Sequence, residues 1–260
     1  MPRTLASLPL SILCLSLAWA AHAQAQASRP VYPANSDNVR YADLDKLPDW
    51  RGLWFPAIGR VGGDQPVLIG DAKKTWEMHQ ARLKADPHYE VPETGNNCEP
   101  DGMPSLMTFP YNLEFLITPG KVTIIQEALM QVRRIFTDGR TLPSRDELDP
   151  NYFGYSVGRW EGETLVVTTI GTKPGQRLGI AGITNSDQLT ITERIYLDPK
   201  NRDLLHLDFT FEDPKVLGQP WQRTHTYRRD RTWEQIEYIC AQNNRHLIDD
   251  KGQTITPKAR

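Results

Sequence analysis

From Leu113 onward the chain is organised in steps of two. Runs at 113–118, 122–128, 130–137, 154–160, 164–170, 188–197, 204–212, 221–229 and 233–240 alternate apolar with polar residues, the period of a strand that buries one face. Several are separated by tight turns: Pro119-Gly120, Asp138-Gly139, Glu161-Gly162-Glu163, Asp198-Pro199-Lys200-Asn201 and Asp230-Arg231. Eight or nine short strands joined in this way point to an antiparallel sheet that closes or nearly closes. The expected fold is mainly β: an antiparallel up-and-down, lipocalin-like barrel, with a two-sheet sandwich as the alternative.

The sequence before this body is of a different kind. Residues 1–27 read as a secretory signal, with Arg3 as the positive start, an apolar run over 5–20, and Ala21-His22-Ala23 and Ala25-Gln26-Ala27 as cleavage sites. The run is short for a membrane span and is broken by Pro9. Residues 28–61 are rich in Pro, Asn and Asp and read as an extended arm anchored by Trp50, Leu53, Trp54 and Phe55. A helix is expected over 71–85, capped by Asp71 and stopped by Pro87, followed by a loop over 92–110. The chain thus divides into a signal (1–27), an arm, helix and loop (28–110), a barrel (111–244) and a flexible basic tail (245–260).

Composition narrows the function classes. The 260 residues are 39% hydrophobic with a formal charge of −2, which suits a folded chain and lacks the basic excess of a nucleic-acid-binding surface. Removing the signal takes away Cys14 and leaves Cys98 and Cys240, which in an exported chain are expected to form one disulfide. The six His residues are scattered without ligand spacing, so no metal and no cofactor are expected. Gly-x-Ser-x-Gly, phosphate-binding, dinucleotide and His-Glu-x-x-His signatures are absent from the sequence.

Face assignment isolates a few ionisable residues on apolar rows. Glu193 falls in the row Leu189, Ile191, Ile195, Leu197, where a carboxylate needs a partner or a raised pKa. Over 130–137 the row Met130, Val132, Phe136 contains Arg134, the expected partner of Glu193, with Arg133 on the opposite face beside Gln131 and Ile135. Over 221–229 the inward row is Trp221, Arg223, His225 and Tyr227, a lining suited to a polar or anionic group on an apolar ligand. In 204–212 the core row is Leu205, Leu207, Phe209 and Phe211. His206 and Asp208 then lie on a solvated face.

A set of motifs runs from Cys98 to about Asn244: Cys98-x-Pro100-x-Gly102-x-Pro104, Arg134-Ile135-x-Thr137-Asp138-Gly139-Arg140, Gly158-Arg159-Trp160-Glu161-Gly162-x-Thr164-Leu165-Val166, Glu193-Arg194, Asp213-Pro214, Trp221 and Glu237-x-x-Cys240. As a set it resembles a family of exported bacterial β-rich proteins without a settled function. The resemblance implies a common fold and the disulfide, and it includes Arg134, Glu193 and Trp221 but not His225. It implies no reaction.

Two functions are expected from these residues. One is a periplasmic or secreted, cofactor-free lyase or isomerase using acid–base chemistry on a small, partly apolar, aromatic, terpenoid or steroid-like compound. Glu193 and His225 would then exchange protons and Arg134 and Arg223 hold an oxyanion, with Trp221 and Tyr227 shaping the pocket. The other is a non-catalytic binding barrel for the same kind of ligand.

Overall fold

In a computed structural model, residues 40–86, 88–91, 99–180, 182–238, 247–248 and 254–255 are described. The strands are β1 (Leu53–Gly63), β2 (Leu113–Thr118), β3 (Lys121–Gln126), β4 (Gln131–Phe136), β5 (Tyr155–Glu161), β6 (Thr164–Ile170), β7 (Arg177–Ile180), β8 (Ile183–Thr184), β9 (Thr190–Leu197), β10 (Leu204–Glu212) and β11 (Trp221–Asp230); helix α1 spans Gly70–Ala85. Nine strands close a barrel in the order β1-β11-β10-β9-β6-β5-β4-β3-β2, and β7 pairs with β8 as a separate hairpin. The expected barrel is present.

It is not purely antiparallel. β4 and β5 pair parallel through Ile135–Ser156 and Phe136–Val157. Parallel neighbours require a crossover rather than a hairpin turn, and the 137–154 connection supplies it. Closure also uses sequence read as an arm. β1 pairs with β11 over Leu53–Asp230 to Gly63–Arg223 and with β2 at Trp54–Leu113, so the segment laid along the body is one of its staves. By contrast, the strand expected over 233–240 is not formed at 233–238, which carries no regular structure. There Gln235 donates to the Ile125 carbonyl at 3.1 Å, using a side chain where a strand would use its backbone.

Period-two burial builds the core. Leu189, Ile191, Glu193, Ile195 and Leu197 are buried, as are Leu205, Leu207, Phe209 and Phe211, so the faces of β9 and β10 fall as expected. Met103, Leu106 and Met107 are fully buried beside a 3-10 turn at Ser105–Met107, and Leu178 and Ile183 of the hairpin join the same core. The expected loop thus contributes core side chains. Helix α1 begins one residue before Asp71, which instead sits in its first turn and accepts a bond from Lys74 at 2.9 Å. His79 is its one buried residue. Two-residue strands Leu247–Ile248 and Thr254–Ile255 pair within the segment expected to be a flexible tail.

Candidate functional site

The centre of the barrel holds an ion pair. Arg133 and Glu193 are both fully buried. Arg133 Nη1 donates to Glu193 Oε1 at 2.8 Å and Nη2 donates to Oε2, a two-pronged arrangement that matches the flat guanidinium to the carboxylate. Nη2 also donates to Thr169 Oγ1 at 3.0 Å and Ser156 Oγ at 3.3 Å, and those hydroxyls lie 2.8 Å apart. Glu193 therefore has the partner its position demands.

The partner is Arg133 rather than Arg134, which is exposed on the outer wall. Alternation alone gives β4 one arginine per face, and counting apolar neighbours favours the face with Val132 and Phe136. The opposite face wins because its Gln131 amide and both terminal nitrogens of the Arg133 guanidinium find partners inside, although the buried Arg133 Nε finds none among the described residues. Gln131 Nε2 donates to Gln126 Oε1 at 2.8 Å, to the Ala128 carbonyl at 3.2 Å and to Asp101 Oδ2 at 3.2 Å, while Arg133 takes Glu193. Outside, the Arg140 guanidinium covers the Phe136 ring at 3.8 Å. Satisfied polar groups can be buried at low cost, whereas the apolar count sees only transfer.

β11 carries the second group. Trp221, His225 and Tyr227 are buried and Arg223 is half-buried, so the expected inward row is formed. Arg223 Nη1 donates to the Gly179 carbonyl of the hairpin at 2.9 Å, and its guanidinium lies 5.1 Å from the Trp221 ring centre. Among the described residues no carboxylate pairs with it. Burial pulls its pKa below the ordinary arginine value. At His225, burial and then the neighbouring Arg223 charge lower the imidazole pKa to about 4, so it is neutral at pH 7. Its ring meets Phe209 edge-on at 5.9 Å, and its buried Nε2 has no hydrogen-bond partner among the described residues.

Trp221 and Tyr227 are held by the backbone. Trp221 Nε1 donates to the Asp64 carbonyl at 2.7 Å, and the Tyr227 hydroxyl donates to the Met107 carbonyl at 3.0 Å. Burial raises the phenol pKa of Tyr227, which suits a fixed hydrogen-bond donor. Its hydroxyl ties β11 to the 3-10 turn.

The two groups remain separate. Phe209 stands opposite Glu193 on one side and Arg223 on the other in the strand register, and it stacks on Phe211 with ring centres 5.6 Å apart. This aromatic pair occupies the inner row of β10 between the ionic centre and the β11 row. Arg223 and His225 share a row; Glu193 belongs to Arg133; Arg134 joins neither. Sequence reasoning missed Ser156 and Thr169, whose small hydroxyls gave no distinctive signal, and Gly179. The last lies at φ +83° with an added Cβ only 2.5 Å from Arg223 Nη1, and the surrounding Pro174-Gly175 and Gly182 are turn residues that mark a hairpin.

His206 is part of an outer polar ladder. Its Nε2 lies 3.0 Å from Asp198 Oδ2 and its Nδ1 3.2 Å from Thr226 Oγ1, while Asp208 accepts from Tyr196 at 3.0 Å and Thr224 at 2.9 Å. Among the described residues no group of three or more His, Cys, Asp or Glu is placed to hold a metal ion, and no helix is long and apolar enough to cross a membrane. The expected signal over 1–27 and the cysteines Cys98 and Cys240 lie outside the described residues. The chain matches no family model and no curated protein.

Proposed function

We propose that this chain is an exported binding barrel for a small, partly apolar molecule bearing an anionic group, and that Arg223 and His225 recognise that group. The observation that carries this reading is the unmatched β11 row. Arg223 is half-buried beside Trp221 and, among the described residues, has only a backbone carbonyl as polar partner, while the buried Nε2 of the adjacent His225 has none. A desolvated guanidinium without a carboxylate favours an anion strongly, and the bordering Trp221 and Phe209 rings suit an apolar body. Export is supported by the signal-like composition of residues 1–27.

The test is titration with three carboxylates of different skeleton: 4-phenylbutyrate, geranate and cholate. At least one is expected to bind saturably, with Arg223→Gln weakening it tenfold or more and Arg134→Gln leaving it unchanged. Equal losses in both variants would overturn the assignment to the β11 row.

A second reading, acid–base catalysis, is favoured by one observation: the His225 imidazole is neutral and unpartnered at Nε2, the condition for accepting a proton. In that case Arg223 would hold the developing enolate or carboxylate oxygen. Incubating the bound carboxylate with the protein and recovering it separates the readings. Unchanged ligand supports the binding barrel. Conversion lost in His225→Phe, with binding retained, supports the enzyme.

A further inference from the structure

The guanidinium of Arg223 has an unused edge. A guanidinium carries N–H donors on all three nitrogens. Arg229 commits all three, Nε to Asp203 at 3.0 Å, Nη1 to the Asp49 carbonyl at 2.6 Å and Nη2 to the Arg202 carbonyl. Arg223 commits one. Its Nη1 donates to the Gly179 carbonyl at 2.9 Å, and among the described residues Nε and Nη2 meet no acceptor. Neither is sealed in: among the described residues the buried side-chain nitrogens without a partner are those of Trp50, Arg133 and His225, and Arg223 is only half-buried. Its unused donors therefore reach solvent.

Nε and Nη2 form one edge of the group, with two N–H bonds side by side at the spacing of carboxylate oxygens. The fold uses that edge elsewhere: Arg140 clasps Asp138 with Nε on Oδ1 at 2.9 Å and Nη2 on Oδ2 at 2.6 Å. At Arg223 the remaining nitrogen is tied down. Gly179 lies at φ +83°, and an added Cβ would stand 2.5 Å from Nη1, so the absence of a side chain is what lets its carbonyl approach. The residues before it anchor the hairpin. Leu178 is fully buried, and Ser105 Oγ donates to the Arg177 carbonyl at 3.2 Å.

The charge on offer is single. Burial alone lowers the Arg223 pKa, with no contribution from another charged group, and the adjacent His225 is neutral at pH 7. One guanidinium matches a monoanion. The second charge of a dianion would stand unpaired near the Trp221 ring, where partial burial makes it costly.

We propose that this site selects carboxylates, gripped two-pronged by Nε and Nη2 of Arg223, over dianionic phosphates, with Gly179 as the positioning residue that leaves this edge free. The selectivity rests on the anion-binding role of Arg223 and narrows its ligand class.

The probes are 4-phenylbutyrate, geranate and cholate, their primary amides, and the phosphate monoesters of the corresponding primary alcohols. They are titrated calorimetrically into the full chain at pH 8, where the phosphates are dianions. The tightest carboxylate is expected to bind about tenfold tighter than both its amide and its phosphate, a comparison that needs no variant. Arg223→Lys, which keeps the charge and loses the fork, should weaken that carboxylate about tenfold. Gly179→Ala should weaken the carboxylate more than the phosphate and so narrow the ratio between them, a change that lost stability alone would not produce; an unchanged ratio would remove Gly179 from the proposal. A phosphate that matches its carboxylate, or Arg223→Lys binding the carboxylate as the wild type does, would overturn the selectivity while leaving Arg223 as the anion site. Failure of every carboxylate to bind, or undiminished binding in Arg223→Gln, would overturn the anion site itself and the selectivity with it.

Discussion

Two arginines enter the barrel from different strands and meet different fates. Arg133 is fully buried, grips both oxygens of Glu193 and reaches Ser156 and Thr169 as well. Arg223 is half-buried and, among the described residues, meets only the Gly179 carbonyl and the Trp221 ring. A charge whose bonds are largely made inside the fold contributes to architecture and has little left to offer a ligand. One with an unmet demand for an anion, next to a neutral histidine, is where recognition is to be sought. The difference is the carboxylate, which Arg133 has in Glu193 and Arg223 lacks among the described residues; burial alone would have ranked Arg133 as the more functional of the two.

The sharpest way to break this contrast is to remove one partner of the completed pair. Glu193→Ala leaves Arg133 buried and uncompensated, and is expected to cost about 3–5 kcal/mol of stability in denaturant unfolding. An effect within experimental error would show that the pair is not structural.

Next in size is the pH dependence of the β11 row. The unfolded His225 titrates near 6.5 and the folded one near 4. As pH falls from about 6.5 to about 4 the unfolded state therefore takes up the proton first, and stability declines. Above that window the residue contributes nothing to the slope; across it the loss approaches about 3 kcal/mol. Unfolding curves at pH 7, 5.5 and 4 should show this decline in the wild type and a shallower one in His225→Phe. Identical slopes would contradict the burial of His225.

A smaller effect probes the hairpin that holds Arg223. Gly179→Ala places a Cβ at positive φ against the guanidinium, and is expected to cost about 1–2 kcal/mol and to weaken carboxylate binding. Unchanged affinity would show that the Gly179 carbonyl does not position Arg223.

Much of the barrel was legible because its signal is local. In 188–197 and 204–212 alternation and burial agree residue by residue, and the tight turns fall where Gly, Pro and Asp cluster. β1 was not legible, since Pro56 and its neighbours read as extended arm and only the closed sheet supplies their partners. Nor was the face of β4, where Arg133 and Arg134 are adjacent and sequence period cannot tell which of two half-polar rows will be satisfied. The β11 row was legible as a set of inward residues, but its separation from Glu193 was not. That depends on Phe209 lying between Glu193 and Arg223, a relation fixed by the pairing of three strands.

The central claim is that the β11 row recognises the ligand while the Arg133–Glu193 pair builds the barrel. Calorimetric titration of the tightest of the three carboxylates into Arg223→Gln and into the double variant Arg133→Met/Glu193→Leu tests it most directly. The double variant replaces a buried ion pair with apolar side chains, a change that is commonly tolerated. It is expected to stay folded and bind as the wild type does, whereas Arg223→Gln stays folded and loses tenfold or more. Binding lost in the folded double variant but kept in Arg223→Gln would contradict the account.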